Sequence, residues 1–249
     1  MKDIAIYAAG RAPPLINASP FAHIKAKHEL PSVKVKHRAV IKDPRAFGAL
    51  LRSIDGYTGS YVVKCALQFI AMTFVRPVEC REALWTEFHL DGDAPLWRLP
   101  AKKMKMSDDF LVPLSKQVVS LLRELHPLTG DDKRGRVFPG VKPGKSLSEN
   151  TLNSAIRAMG YTKEQHCSHG FRGTASTLLN EHQWPGDVVE LQLAHDERDE
   201  TRASYNAAQH LPKRREMMQW WADYLDDLRA ERPAGNAKVV PIRRKSSAT

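Results

Sequence analysis

Apolar residues recur at helical spacing from position 43 onward, and the period changes once, in the middle of the chain, before returning. Phe47, Leu50, Leu51 and Ile54 share one face, with Asp43 where a helix cap belongs and Pro44 at the first helical position. A helix therefore begins there and ends near Gly56. The run 61–74 is apolar on nearly every face, which predicts a helix buried on all sides. Stretches 85–90, 96–100 and 110–114 are short and carry aromatic or branched residues, and Asp91-Gly-Asp93 and the polar run 102–109 separate them. A three-stranded antiparallel sheet is expected. Helices follow over 115–125 and 148–159, opened by Ser115 and Ser148, the second closed by Gly160. Three more are expected over about 169–181, 185–194 and 212–228, the last carrying Met217, Trp220, Trp221, Tyr224 and Leu225 on one stripe. The fold class is α+β, mainly α-helical.

The ends differ from this middle. Residues 1–36 are rich in Pro, Ala and basic residues, and Arg11-Ala-Pro-Pro breaks any helix, so a linker or the end of another unit is expected. The main domain then covers 37–230. The tail 231–249, with Pro, Gly, Ser and basic residues, reads as disordered.

At 249 residues, 42% hydrophobic and 27% charged, the chain can bury a large core. Its 38 Lys and Arg against 28 Asp and Glu leave a formal charge of +10, which favours a polyanionic partner, nucleic acid above all. Cys65, Cys80 and Cys167 are odd in number and far apart, which indicates neither a disulfide framework nor a zinc finger and fits a reducing cytoplasm. No apolar run approaches the ~20 residues that span a bilayer, and the first residues lack a secretory pattern. His166, Cys167 and His169 have no second ligand pair at suitable spacing, and no phosphate-cradling G-x-x-x-x-G-K-[ST] loop occurs, so neither metal nor nucleotide cofactor is expected.

Several groups remain that suit attack on a phosphodiester. His169 and Arg172 stand at i and i+3 on one helix face, with helix N–H groups alongside. Arg76 ends an apolar helix before Pro77, and Glu79 either pairs with it structurally or turns it toward a phosphate. Two arginines can each hold two non-bridging oxygens, where charge accumulates in the transition state. Lys102, Lys103 and Lys105 lie in the connection between two expected strands, where an ammonium can protonate a departing oxygen. His195 follows Leu191-Gln-Leu-Ala, and Tyr205, in Arg202-Ala-Ser-Tyr205, is the candidate nucleophile.

The order Arg, Lys, H-x-x-R, His, Tyr resembles the catalytic domain of tyrosine recombinases, the phage integrase family. The matching words are Thr73-Phe-Val-Arg76-Pro-Val-Glu79, Lys103-Met-Lys105-Met, Val112-Pro-Leu, His169-Gly-Phe-Arg172, Leu193-Ala-His195 and Tyr205. Phrases around Ser176-Thr-Leu-Leu-Asn-Glu181, Met217-Met218 and Trp221-Ala-Asp-Tyr224 look like integrases of satellite phages and genomic islands, and the similarity covers roughly 31–229. The resemblance implies the tyrosine recombinase catalytic fold with a small three-stranded antiparallel sheet. It implies that Tyr205 attacks a scissile phosphate to give a 3′-phosphotyrosyl link, with Arg76 and Arg172 on the non-bridging oxygens. Lys105, with Lys103 as second choice, would protonate the 5′ oxygen, His169 would take the tyrosyl proton and His195 would hydrogen-bond the phosphate. No cofactor is implied.

Implied partners are double-stranded DNA attachment sites, three further copies in a homotetramer on DNA, and accessory DNA-bending or directionality factors. A cytoplasmic, nucleoid-associated location is expected, with no membrane. Two departures stand out. Val78 occupies a position where the family often has a small residue, and only about thirty residues precede the match, as though a core-binding domain were reduced to its last helix. The alternative reading is a shortened, catalytically idle integrase that binds DNA or a homologous integrase.

Overall fold

The computed structural model describes residues 38–104, 108–142, 144–194 and 210–231. The chain divides into units 1–37 and 38–249, of which the described residues belong to the second. The expected N-terminal segment 1–36 and the tail beyond residue 231 lie outside them.

The first helix, α1 (Pro44–Asp55), starts as its sequence predicts: Asp43 Oδ2 accepts from the Ala46 N–H at 2.7 Å and Pro44 fills the first turn. It buries Phe47, Leu50, Leu51 and Ile54. α2 (Tyr61–Thr73) is the central helix, with Cys65, Ala66, Leu67, Phe69 and Ile70 all without exposed surface. It ends in Phe74, a buried non-glycine residue at φ 42°. Pro77 then opens α3 (Pro77–Arg81), where Glu79 Oε2 accepts from the Arg76 N–H at 2.7 Å and fixes the turn between the helices.

Three antiparallel strands follow in the order β1 (Phe88–His89), β2 (Leu96–Leu99), β3 (Phe110–Pro113). Trp97 pairs with Phe88 on one side and Val112 on the other, and Leu99 with Phe110. The strand expected over 85–90 is shorter, because Trp85–Glu87 forms a 3₁₀ turn. The turn prevails because Glu87 Oε2 accepts from the Leu84 N–H at 3.2 Å and from Trp97 Nε1 at 3.1 Å, while Trp85 Nε1 reaches the Thr129 carbonyl at 3.2 Å. The polar connection after β2 opens with one helical turn, α4 (Ala101–Met104).

Ser115 caps α5 (Lys116–Thr129), accepting from the Val118 N–H at 3.4 Å. This helix runs past the expected end at 125 because Leu125 and Thr129 are both buried. α6 (Thr151–Ala158) starts later than expected: Asn150 stands at its cap, and Ser148 instead pairs its hydroxyl with that of Thr151 at 2.8 Å in a preceding turn. α7 (Gly170–Glu181), α8 (Gly186–Gln192) and α9 (Leu211–Arg229) complete the described elements.

α9 closes the core over α1 and α2. Trp221 stacks on Phe47, with ring centroids 6.3 Å apart, and its Nε1 donates to the Ala71 carbonyl at 3.0 Å. Met217, Trp221, Tyr224 and Leu225 are buried, so most of the aromatic stripe is core, and Trp220 is the member left at the edge. No described helix is long and apolar enough to cross a membrane.

Candidate active site

Arg76 and Arg172, distant in sequence, meet at the C-terminal end of α8. Arg76 is delivered by the turn between α2 and α3. Its Nη1 pairs with Glu79 Oε1 at 2.9 Å and its Nη2 donates to the Ala194 carbonyl at 2.7 Å. Glu79 thus caps α3 and pairs with the guanidinium at once. Arg172 lies in the first turn of α7, donating from Nη1 to the Phe74 carbonyl at 3.0 Å and from Nη2 to the Leu193 carbonyl. Arg172 is 5% exposed, whereas the Arg76 side chain keeps 33% of its surface.

The electrostatics match this geometry. Burial, followed by the positive charge of Arg76, pulls the Arg172 guanidinium down to about 10, while Glu79 and Glu190 oppose the shift. Arg172 remains charged at neutral pH. Two cations held near each other by one buried carboxylate and several carbonyls form a centre that an anion would stabilise.

Two of those carbonyls come from strained positions. Phe74 at φ 42° and Ala194 at φ 46° are non-glycine residues in left-handed conformation, each presenting its carbonyl to one of the arginines. Such conformations cost on the order of 1–3 kcal/mol each and tend to gather at functional sites. No residue type announced these carbonyls in the sequence.

His169 stands at the cap of α7, half-buried, and its carbonyl accepts from the Arg172 N–H at 3.2 Å. It therefore adjoins Arg172 as the i, i+3 spacing predicts. Lys105, His195 and Tyr205 lie outside the described residues. Lys103 is described, and its ammonium is engaged by the Glu82 carbonyl at 2.7 Å and by the Glu87 carboxylate. Among the described residues, no group of three or more His, Cys, Asp or Glu is placed to hold a metal.

A further buried cation escaped the sequence reading. Arg214, with no exposed surface, donates from Nε and Nη2 to Gln192 Oε1 at 3.0 and 2.7 Å and from Nη2 to the Leu111 carbonyl at 2.6 Å, over the ring of Phe110. Burial lowers its guanidinium to about 9. It joins β3, the end of α8 and the start of α9, and so ties together the two flanks of the segment that carries His195 and Tyr205.

The profile of the phage integrase family matches residues 45–211. The chain is 43% identical to the integrase of Enterobacteria phage P4, across 79% of this chain and 47% of that protein. It is 36% identical to the prophage integrase IntA of Escherichia coli K12, across 90% of this chain and 52% of that protein. It spans about half the length of these curated relatives. The crystal structure of the XerH site-specific recombinase bound to its difH substrate in a pre-cleavage complex superposes with a TM-score of 0.52 at 19% identity, covering 73% of this chain and 54% of that one, so the fold is shared. With the family profile matching two thirds of its length, the chain belongs to the phage integrase family.

Proposed function

We propose that the protein is a site-specific DNA recombinase that breaks and rejoins strands through a 3′-phosphotyrosyl intermediate, as in integration of a prophage or genomic island. The observation that carries this reading is the convergence of Arg76 and Arg172 on the consecutive carbonyls of Leu193 and Ala194, immediately ahead of His195. Two guanidiniums gathered there suit the non-bridging oxygens of one phosphate.

In the proposed reaction the phenol oxygen of Tyr205 attacks phosphorus, and the bond to the 5′ oxygen breaks. His169 accepts the phenolic proton, Lys105 donates a proton to the departing 5′ oxygen, and His195 hydrogen-bonds the phosphate. Arg76 and Arg172 offset the charge that grows on the non-bridging oxygens. The phosphotyrosyl ester keeps the phosphodiester's energy, so a 5′ hydroxyl can attack it to rejoin a strand with no cofactor. The substrate is double-stranded DNA bearing attachment sites, on which four copies assemble with accessory bending or directionality factors, in the nucleoid of the cytoplasm.

The test is incubation with a nicked suicide duplex carrying a candidate attachment site. An SDS-resistant protein–DNA adduct that disappears in Tyr205→Phe is the expected result. An adduct that persists in Tyr205→Phe overturns the assignment of the nucleophile. DNA retention with no adduct on any site supports the catalytically idle reading instead.

A further inference from the structure

The chain just ahead of α1 crosses the back of the helix that carries Arg172. Residues 38–43 form no helix or strand, yet they are seated on α7 and the turn before it. Thr174 Oγ1 donates to the Ile41 carbonyl at 2.7 Å, and Cys167 Sγ donates to the Ala39 carbonyl at 3.8 Å. Between these ties the two segments approach more closely than side chains allow. A Cβ at Gly170 would stand 2.5 Å from the Ala39 carbonyl oxygen, and one at Gly173 would stand 2.7 Å from Val40 Cγ2. Gly170, Gly173 and Thr174 are spaced i, i+3, i+4 and share one face of α7, so Arg172 projects from the opposite face.

The strap 39–41 is held firmly enough to act as a stop. It runs directly into α1, where Asp43 caps the helix, and Phe47 in the first turns of α1 packs edge-on against Phe171 of α7 with ring centroids 6.1 Å apart. The atom facing Gly170 is backbone, and Val40 is β-branched with a stiff side chain, so neither swings aside as the end of a long side chain would. Thr174 has no exposed surface, and water cannot replace its bond to Ile41. On the other side of α7, Arg172 is 5% exposed and is held by the carbonyls of Phe74 and Leu193. The helix is thus clamped between the strap and those carbonyls.

We propose that the strap 39–41 is a positioning element for Arg172: its seat on Gly170, Gly173 and Thr174 sets how deeply α7 presents the guanidinium beside Arg76. The strap touches no reacting atom. This rests on the reading of Arg172 as a clamp on the scissile phosphate. A catalytic group misplaced by about 1 Å loses on the order of a hundredfold in rate, so one methyl wedged between strap and helix is enough to be felt.

The experiment uses full-chain variants and two readouts. One is the rate of adduct formation at saturating nicked duplex, per folded molecule. The other is hydrogen exchange of the Arg172 Nη protons, followed by NMR without DNA. Gly173→Ala drives a methyl into Val40 and is expected to slow adduct formation by about tenfold to a hundredfold and to speed the exchange by about tenfold. Val40→Ala removes both γ-carbons and leaves the Cβ of residue 40 at 3.6 Å from the new methyl, an ordinary contact. The double variant Val40→Ala with Gly173→Ala is therefore expected to match Val40→Ala alone in both readouts. Gly170→Ala meets the Ala39 carbonyl, which no truncated side chain removes, so Val40→Ala should not rescue it. Thr174→Val adds no atom and deletes only the bond to Ile41; it should slow adduct formation by about tenfold, and Thr174→Ser, which keeps the hydroxyl, should recover most of that loss.

The proposal is overturned if Gly173→Ala lowers the melting temperature but forms adduct at the parental rate per folded molecule, as a merely structural contact would. It is also overturned if Val40→Ala fails to restore the double variant. Should Gly173→Ala not fold, the Thr174 pair decides, and equal rates for its valine and serine variants overturn the proposal. A parent protein that forms no adduct on any duplex sinks the recombinase reading instead. The exchange readout then still judges the strap, and unchanged Arg172 exchange in Gly173→Ala and Thr174→Val overturns it.

Discussion

Arg172 donates to the carbonyl of Phe74, only two residues ahead of Arg76, and the two guanidiniums then take the consecutive carbonyls of Leu193 and Ala194. Each arginine thus uses the planar fork of its donors to reach separate acceptors. A lysine ammonium cannot reproduce that geometry. Arg172→Lys and Arg76→Lys are expected to form the covalent adduct at least about a hundredfold more slowly, the typical loss when a transition-state donor is removed. Adduct formation per folded molecule, followed on the nicked duplex, checks this. A rate within threefold of the parent protein would count against the arginine clamp.

Arg76 keeps a third of its side-chain surface and Arg172 almost none, so Arg76 is the one that can meet DNA without rearrangement. DNA retention should weaken steeply with salt, as expected for a chain of charge +10. Arg76→Gln should lower the slope of log affinity against log salt by about one, the signature of one lost phosphate contact. Filter binding or anisotropy across a salt series measures it. An unchanged slope would place Arg76 away from the phosphates.

His166 supplies a pH dependence. Its ring has no exposed surface, neither nitrogen has a hydrogen-bond partner among the described residues, and it packs edge-on against Phe171 with centroids 4.7 Å apart. Burial, and then the charge of Arg157, lowers its pKa from 6.5 to about 4. Between those values the unfolded chain binds a proton that the folded chain refuses. The stabilisation is therefore fully present above pH 6.5 and is lost as pH falls toward 4, by about 3 kcal/mol in total. Urea midpoints between pH 4 and 8 should show this loss. His166→Met should flatten the curve, and an equal slope in that variant would assign the acid sensitivity to other groups.

Gly48 sits where α1 passes close to α9. A Cβ there would lie 2.7 Å from the Leu228 carbonyl oxygen, which is backbone and cannot swing aside. Alanine in a helix gains up to about 1 kcal/mol over glycine. Forcing two packed helices apart costs more, about 1–3 kcal/mol. Gly48→Ala should therefore lower the melting temperature despite its better helix propensity, and a rise would mean that α9 yields.

Much of the architecture was legible because it depends on local periodicity. The cap at Asp43, the fully buried character of α2, the three strands and the helix opened by Ser115 all follow from residue patterns within a few turns. The misses have causes seen only in three dimensions. Glu87 drew its segment into a turn because Trp97, on another strand, offered an indole N–H. Ser148 gave up its expected cap because Thr151 was the nearer partner.

For the site, the chain alone established which chemistry-bearing side chains exist, in what order and on which elements: Arg76 before a proline-opened helix, and His169 and Arg172 one turn apart. It left open how Glu79 serves Arg76, and folding made it both the cap of α3 and the ion-pair partner of the guanidinium. The acceptors that hold the arginines, the carbonyls of Phe74, Leu193 and Ala194, have no signature in residue type, because every residue carries the same carbonyl. Their availability depends on backbone torsions at Phe74 and Ala194 that packing imposes. The burial of Arg172 and Arg214 and the commitment of Lys103 to Glu87 are likewise long-range outcomes, since desolvation and ion pairing are set by what surrounds a side chain in space and not by its neighbours in sequence.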